Sequence, residues 1–588
     1  MISIKAIFIF LVASNLAALL VISYNYYTFR SLNGTPSGSH QSSVSLLADP
    51  PKFLFDTSYK FEDPILAAKI LKKLDEFYPI GSSNYLKNDK GVAAHKFNQP
   101  FFGLISNDKY CEKHREYFTK NANDIFQTMN FVTDADSNSL LRTKVLSSIG
   151  QDLQPNVGSH MPKNEKTAFI HNIRPETHVF YTGSNMYEHK NLGQQFSCFS
   201  QASNHIPGHS ILNTEEGLYN AMNKYGKKFS NKLECFNFEK FKAVKWDLSI
   251  KKECEDFFKK LSATKDDSYI SFIRRTSVDS EGNESFQPIN DSEENKLKAT
   301  FDNGKLCGSG KVSGNYMIQR FINNPLLVNG HKFDTRVYML IASTYPFIAY
   351  YHDGYARVSP YIYDSSVSEK TSLLASLNEQ VQDNGFANGL TATELENSER
   401  WSFNKLQSYL VEKDIIKSSE DFDTKLRLQF KRAMVHVLRA TTSSLVEKNN
   451  VYELFAMDFM LDEQFNLYLL DSTSNNLFTH GTEEDDKSSA KMLKDHFEII
   501  FGLIRSRVKR GINYVNRLIQ EKNVKESETG DIEISNEQQK RLEFLELTKN
   551  YFEPEYEPTK TNGFSKIMDA NYYSFQRYNW LVERDCLF

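Results

Sequence analysis

The chain has 588 residues and a formal net charge of −4, so it is long enough for two or three subdomains and is nearly neutral. Nothing in this charge points to nucleic acid, and we expect no nucleic-acid partner. The 44 Phe and 30 Tyr residues indicate a globular chain with a large core and argue against disorder. Six scattered cysteines without a C-x-x-C pair argue against cysteine-based zinc sites and thioredoxin-type chemistry. Their even number permits disulfides without demanding them.

The first 30 residues predict a membrane anchor. Residues 6–24 are almost entirely apolar and long enough to span a bilayer as a helix. No small-x-small cleavage site follows, which favours an uncleaved anchor over a cleaved signal peptide. Positive charge flanks the stretch on both sides, at Lys5 and the N-terminal amine before it and at Arg30 after it. This distribution favours a lumenal or extracellular catalytic domain. We therefore expect a single-pass membrane protein, with residues 31–52 as a flexible tether rich in Ser, Gly and Pro.

Two predicted strands enclose a row of charges. Apolar and polar residues alternate over 318–322, and residues 337–342 are nearly all apolar. Lys332, Asp334 and Arg336 lie between them and point to the same face of a strand. Two cations and one anion on one face are costly unless something there needs them, such as a polyphosphate with its metal. The alternative is an edge strand with a solvated ladder of charges.

Two acids lie inside a second pair of apolar runs. Residues 452–461 and 467–471 predict a hairpin with Asp458 in the middle of one strand and Asp471 at the end of the next. Acids on neighbouring strands are a common way to hold Mg²⁺ against ATP phosphates. Arg357, after a turn, supplies a further cation. Each acid taken alone is also typical of a turn or an edge.

Several of these segments stand in an order that is known from one family. They are Gln319, Arg320, Phe321 and Ile322, with Leu326 and Leu327 after Pro325; Gly330, Lys332, Phe333, Asp334, Arg336, Val337 and Tyr338; Asp353, Gly354, Tyr355 and Arg357; Asp458 with Phe459; and Leu469, Leu470 and Asp471. In this order the chain resembles the tubulin–tyrosine ligase-like family. The resemblance covers roughly residues 196–510 and is most specific over 319–338.

The resemblance implies an α/β protein with the ATP-grasp fold, preceded here by the predicted N-terminal anchor helix. It also suggests a division of the chain, which remains an expectation. The predicted parts are a transmembrane signal-anchor at 1–30, a tether at 31–52, an N-terminal subdomain at 53–230, a central ATP-grasp subdomain at 231–316, a C-terminal ATP-grasp subdomain at 317–515, and a linker with a C-terminal tail at 516–588.

The activity implied is ligation. Members of the family use ATP and Mg²⁺ to activate a protein carboxylate as an acyl phosphate, which the amine of glutamate, glycine or tyrosine then attacks. The implied partner is a protein with an acidic, glutamate-rich segment, and tubulin qualifies where the domain faces the cytosol. The resemblance implies a role for each matching residue. The adenine is lined by Gln319, Arg320, Phe321 and Ile322, and ATP is contacted by Lys332 and Arg275. The catalytic residues around the phosphates and substrate are Asp334, Arg336 and Arg357, and the metal is held by Asp458 and Asp471.

The sequence departs from the family pattern at several of these positions. Asp471 replaces a glutamate, Thr473 an asparagine, and Glu215 stands near an expected lysine. Arg275 keeps the charge of an expected lysine but not its geometry. These departures favour an alternative, a pseudoenzyme that binds a nucleotide or a partner at a membrane without ligation. A third reading is an unrelated membrane-anchored enzyme of glycosyltransferase type, although the chain offers no convincing D-x-D pair.

Overall fold

The structure of the protein is a computed structural model. It describes residues 59–75, 105–133, 150–152, 174–181, 198–229, 241, 244–248, 250–263, 272–276, 285–288, 295–299, 307, 317–322, 324–363, 400–445, 450–474 and 483–571. All of them belong to one unit, Phe55–Phe588. The predicted anchor at residues 6–24 and the tether at 31–52 lie outside the described residues.

The expected membrane localisation needs correction. Among the residues that the structure describes, no helix is both long enough and apolar enough to cross a membrane. The prediction of a single-pass membrane protein rested on the apolar composition of residues 6–24, which lie outside the described residues.

The described residues contain both strands and helices, as expected for an α/β protein. In the described residues the strands are β1 (Met129–Thr133), β2 (Gly150–Asp152), β3 (Val179–Tyr181), β4 (Ala202–Asn204), β5 (Lys245–Asp247), β6 (Phe272–Thr276), β7 (Ser285–Pro288), β8 (Met317–Arg320), β9 (Leu327–Val328), β10 (His331–Thr344), β11 (Phe347–Ile362), β12 (Arg400–Ser402), β13 (Val451–Leu461), β14 (Leu467–Thr473), β15 (Val524–Glu526), β16 (Ile532–Ile534) and β17 (Ser565–Asp569). The helices are α1 (Pro64–Asp75), α2 (Ile105–Lys120), α3 (Asp124–Gln127), α4 (Ser210–Asn213), α5 (Glu215–Phe229), α6 (Lys251–Ala263), α7 (Phe403–Glu412), α8 (Ser419–Phe422), α9 (Leu428–Thr441), α10 (Glu483–Gln520) and α11 (Glu537–Thr548).

An 11-stranded mixed sheet holds most of the strands, in the order β12-β11-β10-β13-β4-β3-β1-β2. Strands β9, β14 and β17 pair with β10, β13 and β11 respectively. The half from β12 to β13 is antiparallel, whereas β4, β3, β1 and β2 are parallel to one another and β4 is parallel to β13. Strand β13 therefore joins the two halves, and this is where the polar residues discussed below collect.

Strand β13 is buried along its whole length because a hydrophobic core covers each face of the sheet. Tyr452 and Leu454 belong to one core, together with residues of α1, α2 and α10. Val451 and Phe455 belong to the other, together with residues of α5, α7 and α9. Side chains alternate between the faces along a strand. A strand buried on both sides is expected to show the nearly continuous apolar run seen in this segment.

A second sheet of four strands has the order β5-β8-β6-β7. Strand β8 pairs with β5 and β6, although the predicted division placed residues from 317 onwards in a different subdomain from residues 231–316. Residues 516–588, expected as linker and tail, contain the hairpin β15–β16, helix α11 and strand β17, which pairs with β11. Strand pairing depends on partners far apart in the chain, which explains both differences.

The predicted hairpin is confirmed. Its turn is organised by Asp462, whose carboxylate accepts hydrogen bonds from the backbone N–H groups of Gln464 (3.0 Å) and Asn466 (2.8 Å). Such bonds from an aspartate to the backbone shortly after it are typical of tight turns. The turn sets the register of β13 against β14 and so the positions of Asp458 and Asp471.

Two disulfides are present in the described residues. Cys111–Cys198 ties α2 to the segment before β4, and Cys254–Cys307 ties α6 to a point 53 residues further along the chain. Disulfides persist mainly in oxidising compartments and are rare in cytosolic proteins. The scattered spacing of the cysteines concealed these pairs in the sequence.

Candidate active site

Two adjacent strands bring a buried arginine and a buried aspartate together. Arg336 on β10 lies opposite Asp458 on β13 in the strand register. Its Nε and Nη2 atoms each donate to one oxygen of the Asp458 carboxylate, both at 2.8 Å. This bidentate arrangement is the strongest geometry available to such a pair. The predicted catalytic residue Arg336 and the predicted metal ligand Asp458 therefore contact each other directly.

Arg357 links this pair to a second acid. It lies on β11 opposite Asp334 of β10, donates from Nε to Asp334 at 2.7 Å, and places Nη2 2.9 Å from Asp458 Oδ2. Together Asp334, Arg336, Arg357 and Asp458 form what we call the arginine–aspartate cluster. It contains two positive and two negative charges, so it is balanced within itself.

A glycine allows β11 to approach. The register of β10 against β11 shifts between Arg336 and Tyr338, where Asp353 and Gly354 of β11 lie opposite one residue of β10. A Cβ atom at Gly354 would lie 1.8 Å from the carbonyl oxygen of Arg336, so a larger residue cannot occupy this place without displacing the strand. The spacing of Asp353-Gly354 before Arg357 thus has a structural reason.

The arginines affect the two acids differently. Burial raises the pKa of Asp334, and the single contacting guanidinium of Arg357 opposes this without overcoming it. Burial also acts to raise the pKa of Asp458, but Arg336 and Arg357 together outweigh it and hold the pKa well below its usual range. Asp458 is therefore ionised near neutral pH, as either a metal or an arginine partner requires.

Lys332 occupies an aromatic environment. Its side chain is buried, and Nζ lies 4.1 Å from the centre of the Phe321 ring and 5.7 Å from that of Tyr363. Phe321 follows β8, so Lys332 lies where the small sheet meets the large one. The predicted adenine-side residues fall on the same segment, with Gln319 and Ile322 half-buried, Arg320 exposed and Phe321 buried. Arg275 pairs with Met317 across β6 and β8, so its backbone lies on the strand next to the one that carries Gln319 and Arg320.

Asp471 lies directly opposite Asp458 in the register of β13 and β14. Residues opposite each other on antiparallel strands have Cα atoms roughly 4.5–5.5 Å apart. One oxygen of Asp471 accepts the N–H of Ser472 at 2.8 Å. Each carboxylate oxygen has two lone pairs, and Oδ1 of Asp458 accepts one hydrogen bond within the described part of the chain, so this oxygen can also bind a cation. Thr473 follows on the same face as Asp471.

On the opposite face of β13, an acid of the strand contacts two histidines of another segment, a group that the sequence interpretation missed. Glu453 is buried there against His205 and His209. The sequence around His205 predicts a turn and resembles a segment of the family, but it does not show that this turn meets Glu453. A glutamate inside an apolar strand was the available signal, because such a residue is rarely buried without a partner.

Comparison with known proteins extends this description. A family model described as "Tubulin-tyrosine ligase family" matches residues 190–507. "Protein polyglycylase TTLL10" of Rattus norvegicus is 25% identical over 285 residues, which is 46% of this chain and 40% of that protein. "Inactive polyglycylase TTLL10" of Homo sapiens is 32% identical over 162 residues, 27% of this chain and 23% of that protein. "Probable tubulin polyglutamylase TTLL9" of Mus musculus is 25% identical over 188 residues, 32% of this chain and 38% of that protein. The chain thus spans two fifths or less of the length of these relatives.

Proposed function

Because the chain belongs to the tubulin-tyrosine ligase family, we propose that it is an ATP-grasp ligase that joins the amine of a free amino acid to a protein carboxylate, using ATP and Mg²⁺. The main support is the convergence of Asp334, Arg336, Arg357 and Asp458 in one buried cluster with Asp471 opposite Asp458. The relatives named polyglycylase and polyglutamylase favour glycine or glutamate as the amino acid, ahead of tyrosine.

The residues present fit ATP and Mg²⁺. Within the described part of the chain, Arg336 and Arg357 use only Nε and Nη2 to hold the two aspartates, which leaves the Nη1 group of each as a donor. Lys332, Arg336 and Arg357 would bind the phosphates, with Arg275 and the residues from Gln319 to Ile322 contributing to the nucleotide site. Asp458 and Asp471 would hold Mg²⁺. When bound, ATP supplies the phosphoryl group that activates the carboxylate, and Mg²⁺ neutralises charge on its oxygens.

The cluster stabilises charge that develops during the reaction. Activation produces an acyl phosphate on the acceptor. The amine nitrogen then bonds to the acyl carbon, the bond from that carbon to the phosphate oxygen breaks, and the amine loses a proton, leaving an amide and phosphate. The former carbonyl oxygen of the tetrahedral intermediate bears negative charge, which the fixed guanidinium groups of Arg336 and Arg357 would stabilise without reorganising. Asp334 and Asp458 hold these two groups in place.

The acceptor is proposed to be a protein with a glutamate-rich segment. The relatives are described as acting on tubulin or as polyglycylases, and tubulin is one candidate. The two disulfides favour acceptors that share an oxidising compartment with the chain. An acceptor screen should therefore contain both tubulin and acidic secreted proteins.

A second candidate is a pseudoenzyme that binds a nucleotide or a partner without ligation. Two observations favour it: both oxygens of Asp458 already accept hydrogen bonds from arginines, and Thr473 offers no amide oxygen beside Asp471. One of the relatives is itself named an inactive polyglycylase. The two candidates differ in whether an amino acid is incorporated.

The deciding experiment uses the full chain. ATP binding is measured by calorimetry with and without Mg²⁺ for the unchanged protein, for Asp471→Asn and for Asp531→Asn, a charge-matched control at an exposed turn. Incorporation of labelled glycine, glutamate and tyrosine into the acceptor panel follows. We expect ATP binding that depends on Mg²⁺. The affinity should fall at least about tenfold in Asp471→Asn, which is the loss seen when groups around a metal are changed, and should not change in Asp531→Asn. A folded protein that binds no ATP would contradict the ligase proposal, and binding without incorporation would favour the pseudoenzyme.

A further inference from the structure

A compact group of three metal-ligating side chains lies outside the proposed ATP site. His205, His209 and Glu453 each offer a ligand atom, and these atoms all lie within 4.8 Å of one another. Glu453 is on β13, and the two histidines belong to the segment between β4 and α4. We refer to these residues as the histidine–glutamate cluster. Because Glu453 and Asp458 are five residues apart on one strand, this cluster and the arginine–aspartate cluster lie on opposite faces of the sheet.

The spacing of the atoms suits one small transition-metal ion. His205 Nδ1 lies 3.0 Å from Glu453 Oε1, and His209 Nδ1 lies 3.9 Å from Glu453 Oε2. Around a tetrahedral Zn²⁺ with bonds near 2.0–2.1 Å, neighbouring ligand atoms are about 3.3 Å apart. The distance from His205 Nδ1 to Glu453 Oε1 is close to this value, and His209, whose Nδ1 lies against the Ile206 carbonyl, would ligate through Nε2.

The backbone holds the two histidines on the same side of their turn. The His205 N–H donates to the Tyr452 carbonyl at 2.8 Å, which continues the pairing of β4 with β13. His205 (φ 82°) and Gly208 (φ 89°) both adopt left-handed conformations. A Cβ at Gly208 would lie 2.1 Å from the Ser444 carbonyl oxygen, so this position requires glycine. The turn therefore has little freedom to separate the rings, whose centres are 5.8 Å apart.

Groups around the cluster resemble the outer shell of a metal site. The Ile206 N–H donates to Glu453 Oε2 at 2.9 Å, and the Ile206 carbonyl lies 3.0 Å from His209 Nδ1. The side-chain amide of Asn204 lies 2.8 Å from His205 Nε2. A ligating histidine usually places its other ring nitrogen against an oxygen of this kind. An amide can rotate to present either its oxygen or its nitrogen, so Asn204 suits both the free and the metal-bound ring.

The charge of Glu453 is the second, independent observation. Its side chain is only 2% exposed, yet within the described residues its ion pairs are with His205 and His209 and with no arginine or lysine. A histidine, unlike an arginine or a lysine, carries no permanent positive charge. An unbalanced buried carboxylate is costly, and a bound cation removes that cost.

We propose that His205, His209 and Glu453 bind one Zn²⁺-class transition-metal ion. Imidazole ligands favour Zn²⁺ and its first-row neighbours over Mg²⁺, which prefers an all-oxygen octahedral shell. Three protein ligands leave a fourth position for water or for a ligand from another molecule. The site differs from the proposed Mg²⁺ site in its ligands and in the face of the sheet that it occupies.

The test uses the full chain after removal of metals with a chelator. Zn²⁺ is added in the presence of excess Mg²⁺, which occupies oxygen-only sites, and bound zinc is counted by elemental analysis after dialysis. Co²⁺ is used in parallel because its visible spectrum reports four-coordinate binding. His209→Asn is the informative variant, because His209 lies at the edge of the cluster with 12% of its side chain exposed. His352→Asn is the matched control, with 13% exposure and a single neighbouring carboxylate, that of Asp495.

We expect one tightly bound Zn²⁺ per chain in the unchanged protein and in His352→Asn. Affinity should fall at least about tenfold in His209→Asn, which is the loss that outer-shell changes alone produce. The four-coordinate Co²⁺ spectrum should disappear in the same variant. Equal zinc binding by the unchanged protein and His209→Asn, or a folded protein that retains no zinc, would overturn the proposal. Glu453→Gln provides a second variant in case His209→Asn does not fold.

Discussion

Strand β13 carries one buried acid on each face, and the two acids are stabilised in different ways. Asp458 accepts bidentate hydrogen bonds from Arg336 and a further contact from Arg357, both permanently charged groups. Glu453, on the other face, has two histidines as partners. The first acid is balanced by the protein itself, whereas the second has partners that are better ligands than counter-ions. Similar burial therefore leads to different chemistry according to the type of neighbouring side chain.

The difference also separates two kinds of site. A balanced cluster with spare guanidinium N–H groups is suited to an anionic substrate, because the charges are already fixed in place. A carboxylate with two imidazoles and no fixed cation is suited to a metal ion. The two clusters belong to one strand, so a change in either acid tests the contrast in the same structural setting.

The largest expected effect comes from exchanging each acid for its amide. Asp458→Asn leaves two buried guanidinium groups with one carboxylate, and we expect it to lower the free energy of unfolding by roughly 3–5 kcal/mol. Glu453→Gln removes no permanent cationic partner and still accepts the Ile206 N–H, so we expect a loss of about 1 kcal/mol or less without metal. Urea unfolding in the presence of a chelator measures both. Equal losses would contradict the contrast between the two faces.

Zinc binding provides a second test of the contrast between Asp458 and Glu453. At a free concentration about 100 times the dissociation constant, a ligand that binds only the folded state adds about 2.7 kcal/mol to the free energy of unfolding. We expect this gain in the unchanged protein and in Asp458→Asn, and no gain in Glu453→Gln. Thermal unfolding with and without Zn²⁺ is the measurement. A gain in stability that disappears in Asp458→Asn but remains in Glu453→Gln would show that the ion binds on the face of Asp458, which contradicts the proposal.

The cores on the two faces also contain buried histidines, whose protonation links stability to pH. Burial lowers the pKa of His496, which contacts Tyr452, and of His436, which hydrogen-bonds to Tyr225, to about 3 each. The unfolded chain binds protons at pH 5 that these folded rings do not. Stability is therefore complete above about pH 6.5 and falls as the pH drops towards the folded values, by about 2 kcal/mol per histidine at pH 5.

One of these histidines can be replaced without losing a hydrogen bond. Neither ring nitrogen of His496 has a hydrogen-bond partner among the described residues, whereas Nδ1 of His436 is hydrogen-bonded to the hydroxyl group of Tyr225. We expect His496→Phe to remove about 2 kcal/mol of the decrease in stability between pH 7 and pH 5. Urea unfolding at the two pH values measures the difference, and His436→Phe provides the comparison, with an added cost at pH 7. An unchanged pH dependence in His496→Phe would contradict this account.

Sequence analysis could predict much of the arginine–aspartate face. Alternation along one strand placed Asp334 and Arg336 on one face, and the predicted hairpin placed Asp458 and Asp471 on neighbouring strands, where the structure aligns them. These are local relations, set by the period of a strand and by the chemistry of a turn. The residue types themselves suggested phosphate and metal binding, and the resemblance to a family supplied the residue-by-residue roles, which remain predictions.

The other face could not be predicted, because its contacts join distant parts of the chain. Glu453 and His205 are 248 residues apart, and only the parallel pairing of β4 with β13 brings them together. The same holds for Arg507 on α10, a large buried side chain whose guanidinium donates to the Phe199 and Gln201 carbonyls. The position of β8 in the small sheet was missed for this reason too. Periodicity shows which face a residue occupies, but not what lies against that face.

The smallest expected effect concerns the position beside Asp471. Thr473 pairs with Ala456 and lies on the same face of the sheet as Asp471. The family pattern that this chain resembles has an asparagine at this position. Thr473→Asn adds an amide oxygen, a ligand suited to Mg²⁺, and a single added contact of about 1 kcal/mol should raise the affinity for ATP with Mg²⁺ about fivefold. Thr473→Val keeps the shape without an oxygen ligand and should give no gain. Calorimetry of ATP binding with and without Mg²⁺ measures both variants. A gain in Thr473→Asn that also occurs without Mg²⁺ would show that this position does not face the metal, and would remove Asp471 from the proposed ligands.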